Sequence, residues 1–278
     1  MSLNLQGVID IHCHCGPDSI RRNIDAIQLA EMALSRGMRG VVLKNHFEPT
    51  ASLAYMVRKQ APQLETFGGI TLNLASGGMN PDAVEHMATV DGGWGRFVWM
   101  GSLDTESHLR YFRQSRHCVP ISRDGCLLPK VKEVLAAIAR HQLVLATGHC
   151  STEEALLLIR EARQLGIRKI LVTHAMMAPT HMPVATMREA ADLGAYIEFV
   201  YNGLIGVHKE FEASQYAEAI RAIGAERCIL ASDLGQAANP PHPEGLTAFF
   251  VAMEKEGLRS GELTRMTRHN PAFLLGLE

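Results

Sequence analysis

Five side chains able to hold a metal ion sit in or directly after short apolar runs of this chain. His12 and His14 lie in Val8-Ile9-Asp10-Ile11-His12-Cys13-His14, and His149 follows Leu143-Val144-Leu145-Ala146-Thr147-Gly148. His174 follows Ile170-Leu171-Val172-Thr173, and Asp233 follows Cys228-Ile229-Leu230-Ala231-Ser232. Unbroken runs rich in Val, Ile and Leu read as strands buried on both faces. A strand sends alternate side chains to one face, so His12 and His14 should point the same way. Imidazole and carboxylate donors together suit a divalent ion of borderline softness, zinc first, with manganese or iron as alternatives. An isolated His-x-His is weak, and each residue has a structural alternative: a hydrogen-bonded core histidine, or an aspartate capping the next helix. Their shared place at strand ends is what favours a site.

The elements that must carry these residues alternate regularly. Helical patterns stop at Gly37, Gly166, Gly194 and Gly224, each followed within a few residues by a strand, as expected where glycine closes a helix and a short loop follows. Ser151-Thr152-Glu153-Glu154 has the capping-box pattern, and Asn80-Pro81-Asp82 puts proline at a first helical position. Strands are expected at 8–13, 40–44, 66–72, 96–101, 143–147, 169–173, 195–200 and 228–232, each followed by a helical segment, with an extra loop or small hairpin in 115–130. Parallel strands with helical crossovers form either a closed barrel or an open doubly wound sheet. Ligands on strands one, five, six and eight converge only if strand eight lies beside strand one, so the α/β fold expected is a single-domain (β/α)8 TIM barrel, with the site at the carboxyl ends of its strands.

Composition agrees. The 278 residues are 47% hydrophobic, enough for a large core. A net charge of −2 without a basic block argues against nucleic acid or an anionic membrane as partner. The six cysteines lack disulfide-framework spacing, and no apolar window is long enough to span a membrane. The expectation is a cytoplasmic protein whose partner is a small-molecule substrate; homo-oligomerisation stays open.

With these residues in view, the chain resembles the amidohydrolase superfamily, and within it a branch with Lys44-Asn45-His46 on strand two and Ser232-Asp233-Leu234-Gly235-Gln236 on strand eight. Asn270-Pro271-Ala272-Phe273-Leu274-Leu275-Gly276-Leu277 is similar to the family's closing helix, so the likeness runs over nearly the whole chain. The resemblance implies that His12, His14 and Asp233 bind one metal and His149 and His174 a second. Where two-metal members carry a bridging Lys or Glu after strand four, Met100-Gly101-Ser102-Leu103-Asp104 has neither. Asp104 fills that role only if the strand runs further; Lys44 or His46 could serve the site from strand two instead.

The chemistry expected is hydrolysis. A bound divalent ion lowers the pKa of its water to about 7 and polarises a carbonyl; the target would be an amide, ester or lactone of a small molecule. Asp233, in the role the resemblance implies, would exchange the proton. His174 and Lys44 are further catalytic candidates, and His46 and Glu198 candidate substrate contacts. Lys44 ends a buried strand, so it needs a partner: a substrate anion, a carbamate modification or a salt bridge. Arg123 and His242 read as loop residues, and Met176, Met177 and Met182 as packing near the pocket. Two other readings remain: a one-metal, non-oxidative decarboxylase with His174 handling a proton, and a metal-binding protein without turnover.

Overall fold

The apolar runs form eight parallel strands in chain order: β1 (Ile9–His14), β2 (Gly40–Lys44), β3 (Glu65–Thr71), β4 (Gly95–Trp99), β5 (Val144–Ala146), β6 (Ile170–Val172), β7 (Tyr196–Val200) and β8 (Cys228–Ala231). The computed structural model describes residues 4–277. Helices follow the strands on the outside: α1 (Ala26–Ser35), α2 (Ala51–Gln60), α3 (Pro81–Ala88), α4 (Glu106–Tyr111), α5 (Pro129–Arg140), α6 (Thr152–Gln164), α7 (Val184–Asp192), α8 (Ala213–Ile223) and α9 (His242–Lys255). The expected (β/α)8 barrel is the observed architecture. Segment 115–130 contains a short antiparallel hairpin, Ser122–Arg123 against Cys126–Leu127. The Ser151–Glu154 capping box and the Asn80 cap both form.

Apolar side chains divide into two layers. Ile9, Ile11, Val42, Phe67, Phe97 and Trp99 belong to an inner cluster within the barrel, and Val8, Cys13, Cys15, Val41 and Leu43 belong to the layer between strands and helices. The alternation therefore changes parity inside β1. Asp10 pairs with Val41 and Cys13 with Leu43, so three residue steps of β1 span two of β2. This is a β-bulge, an inserted residue that re-aims the side chains beyond it. Ile11 and His12 consequently both face inward, and His14 follows.

The same stretch closes the barrel. β1 and β8 form no continuous ladder; instead the Asp10 carboxylate sits in the seam, where Oδ1 accepts from Ser232 N (3.0 Å) and His12 N (3.3 Å). Beyond it, Asp233 N donates to His12 O and His14 N to Leu234 O, both at 2.9 Å. A backbone amide on each side of the seam thus finds a buried acceptor. Asp10→Ala would leave Ser232 N unsatisfied and should lower stability by about 1–3 kcal/mol. Asp10→Asn, which keeps an oxygen there, should lose less; equal thermal midpoints for wild type and Asp10→Ala would contradict this account of the seam.

Candidate metal centre

The bulge brings His12 and His14 to the carboxyl end of the barrel, and the chain leaving β8 turns Asp233 toward them. Asp233 has φ 50°, a left-handed conformation uncommon outside glycine and typical of constrained sites. Two residues later Gly235 has φ 126°, and a Cβ there would lie 2.0 Å from His14 O; the turn can pack on β1 only with glycine. Asp233 Oδ1 then lies 3.0 Å from His12 Nε2 and 3.2 Å from His14 Nε2. The donor atoms of these three residues all fall within 4.8 Å of one another. Tetrahedral zinc with bonds of 2.0–2.1 Å separates its ligand atoms by roughly 3.3 Å, so the donor set fits such an ion.

Behind this group lies Glu198 of β7. Its Oε1 is 3.1 Å from His12 Nδ1, and its Oε2 accepts from His174 N at 2.8 Å. A carboxylate on the far nitrogen of a histidine fixes the tautomer that leaves Nε2 free for a metal. Burial disfavours charge on His12, but Asp233 and Glu198 outweigh it and lift the imidazole pKa to about 9. Burial would raise the pKa of Asp233, yet His12 and His14 hold it well below the usual carboxylate range. Lys44 Nζ is 2.9 Å from His12 Nε2 and 5.3 Å from the Trp99 ring centroid, a cation standing among the acceptors that a metal would use. Burial pulls its pKa down against the attraction of Asp233 and Glu198. Arg22, paired with Asp18, reaches His14 Nδ1 at 3.2 Å. A guanidinium only donates, so His14 here holds its proton on Nε2, and binding an ion there releases that proton.

A second pair converges beside the first. His149 Nε2 and His174 Nε2 are 3.1 Å apart, and His174 has φ 25°. His149 follows Gly148, where a Cβ would lie 1.9 Å from Gly101 O. Its other nitrogen, Nδ1, is 3.0 Å from His108 Nδ1 on α4, and its carbonyl accepts from Thr105 Oγ1 at 2.9 Å. Burial takes the pKa of His174 and of His108 down to about 4 and that of His149 well below 6.5; these imidazoles are neutral and able to ligate. His46 stacks on His14 at 4.7 Å between ring centroids, and burial keeps it neutral as well. His14, Lys44, His46, His149, His174 and Asp233 share the wall of one cavity of about 290 Å³.

A family of unknown function, DUF6282, matches residues 7–198. The chain belongs to this family. The match takes in every candidate residue except Asp233, which lies beyond it. No curated protein sequence matches. Among solved structures, an amidohydrolase from Pseudomonas aeruginosa is similar at 13% identity and TM-score 0.65, over 99% of this chain and 95% of that one. The lactonase from Listeria monocytogenes is similar at 13% identity and TM-score 0.65 (99% and 96%). So is 2,6-dihydroxybenzoate decarboxylase from Rhizobium, at 12% identity and TM-score 0.62 (98% and 99%). At these identities the likeness is one of fold.

In this DUF6282 member, several expected residues take other places. Glu198, expected to touch substrate, is fully buried behind His12 with both oxygens engaged, so its position is that of an orienting group. Asp104 is not a bridging ligand: β4 ends at Trp99, and the Asp104 carboxylate binds Leu74 N and Arg116. His242 is not a loop residue but opens α9, buried, with Nε2 bonded to Leu234 O. Arg123 sits in the hairpin, outside the cavity wall, and Met177 lines that wall. Sequence reasoning missed Arg22, His108, Asn202, His208 and Glu210, which reach the cavity from loops or from the short helix α4; their place beyond the carboxyl ends of β1, β4 and β7 was the one signal for them.

The Glu198–His12 pair gives a direct test. Glu198→Gln opposes an amide to His174 N–H and weakens the acceptor on His12, so metal affinity should fall about 10–100-fold, measured by competition with a chromophoric chelator. Unchanged affinity would mean that Glu198 does not orient His12.

Proposed function

We propose that this chain is a metal-dependent hydrolase of the amidohydrolase type, acting on an amide, ester or lactone carbonyl of a small molecule. The observation that carries the reading is the convergence of His12, His14 and Asp233 donor atoms within 4.8 Å at the mouth of the barrel. A divalent ion held there, zinc first, would supply a water of pKa about 7 and polarise the substrate carbonyl. The chain's own residues do the rest. Asp233 keeps one oxygen toward the histidines while Oδ2 accepts from Asn202 Nδ2 at 3.3 Å; it takes the proton from the attacking water and passes it to the leaving group. Glu198 holds His12 and, through its backbone amide, His174. Lys44 projects an ammonium into the cavity and faces the negative charge that builds on the substrate.

A second reading, a one-ion decarboxylase, gains support from β4. Among the described residues no Lys or Glu from β4 or its loop lines the cavity, and Asp104 is engaged elsewhere. The ion would then be held by His12, His14, His149 and Asp233, leaving His174 to handle a proton.

Elemental analysis separates these readings. About two ions per chain under metal-replete conditions fits the hydrolase with a second ion on His149 and His174; a maximum of one favours the decarboxylase arrangement. In either case His12→Ala with His14→Ala should lose metal, and full retention would remove the basis of both. Once a substrate is found among amides, esters, lactones and carboxylated aromatics, Asp233→Asn should keep most of its metal while kcat falls by roughly 10²–10⁴. Near-normal kcat would exclude Asp233 as the base.

A further inference from the structure

The proton of His46 is located by a chain of buried partners. Asn73 Oδ1 accepts from two backbone amides, Ser102 N at 2.8 Å and Asp104 N at 3.3 Å. That fixes the side-chain amide, so Nδ2 is the donor, and it donates to His46 O (2.9 Å) and Ser102 Oγ (2.8 Å). Ser102 is fully buried, and among the described residues its hydroxyl proton has one acceptor in reach, His46 Nδ1 at 2.8 Å. A serine hydroxyl carries a single proton, and a neutral imidazole has one N–H and one lone pair. Nδ1 is thus the acceptor and Nε2 carries the hydrogen. That nitrogen has no hydrogen-bond partner among the described residues, while the ring lines the cavity between His14 (4.7 Å) and His149 (6.4 Å).

We propose that His46 is a fixed N–H donor of this site, locked by Ser102 and Asn73, and that its Nε2–H binds an oxygen of the substrate, the carbonyl oxygen in the hydrolase reading. It is not a metal ligand, although its ring packs between two residues that are. Ligating a cation through Nε2 would move the ring proton to Nδ1 and leave the buried Ser102 hydroxyl without its acceptor, whereas an oriented donor beside the reacting carbonyl stabilises the charge that develops there without having to reorganise. The role in turnover rests on the hydrolase reading; the position of the proton does not.

The test begins with long-range ¹H–¹⁵N NMR of the histidines, with His46 assigned by the signal missing from His46→Gln. The expected result is a pyrrole-like Nε2 and a pyridine-like Nδ1, before and after loading with zinc, and a mixed tautomer in Ser102→Ala. A pyridine-like Nε2, or one shifted by zinc, overturns the proposal. Inorganic phosphate serves as the oxygen probe in calorimetric titrations of the purified chain, with metal content measured in parallel. His46→Gln, which restores a distal N–H, should bind phosphate within about threefold of wild type. His46→Asn and His46→Phe, which lack that donor, should bind roughly 10–100-fold more weakly, the range for a hydrogen bond to a charged group, at unchanged metal content. Equal affinity in all four proteins, no binding by wild type, or loss of metal in His46→Phe would overturn it. If His12→Ala with His14→Ala retains its metal, the hydrolase reading fails by itself, and the tautomer result still decides the role of His46.

Discussion

Asp10 sits where the barrel has to close and where the first strand has to change phase, and both depend on its carboxylate. An eight-stranded parallel sheet closes only if its first and last strands find each other. Here the two share no continuous ladder, and one buried oxygen accepts from the amides on both sides of the seam. Immediately beyond, the pairing of Asp233 N with His12 O and of His14 N with Leu234 O fixes the three donor residues relative to one another. The ligand geometry is thus set by main chain rather than by flexible side chains, which is the arrangement a preorganised site requires.

Around that frame the site solves a problem of charge. Six histidines and a lysine line one cavity, with His12 directly behind, and burying so many basic groups is tolerable only if most are neutral. Burial holds His14, His46, His149 and His174 below their ordinary pKa. Two carboxylates, Asp233 and Glu198, concentrate the negative charge at His12 and Lys44. The result is one charged cluster, two carboxylates against His12 and Lys44, surrounded by neutral imidazoles, and a divalent ion bound there would displace the His12 proton. Left-handed backbone at His174 and Asp233 is held by hydrogen bonds from their own amides to Glu198 Oε2 and His12 O, so the strain is supported by the same groups that organise the charge.

Much of this could be read from the chain. Periodicity and glycine punctuation located the eight strands, because parallel strands buried on both faces leave nearly continuous apolar runs. The shared orientation of His12 and His14 followed from their spacing alone, since a bulge before them shifts both together. The bulge itself left no mark, because Ile11 and His12 are compatible with either parity. Glu198 was legible as a carboxylate in an apolar strand, but only three-dimensional placement shows it behind His12 instead of facing the cavity. Asp104 misled because sequence distance from β4 does not reveal that Arg116 and Leu74 already occupy its carboxylate. His108 was invisible for a related reason: its partner, His149, lies 41 residues away.

The extra residue in β1 also decides the chemical softness of the rim. Cys13 and Cys15 alternate with His12 and His14, and the bulge turns the thiols outward among the helices. A strand of regular parity would present two sulfurs to the cavity and bury two imidazoles behind it. Thiolates select soft ions and closed structural coordination, whereas imidazoles with a carboxylate suit borderline ions and leave room for exchangeable ligands. A single insertion or deletion before His12 would therefore exchange one coordination chemistry for another on an otherwise intact barrel, giving a short mutational path between a centre built to hold a metal and one built to use it.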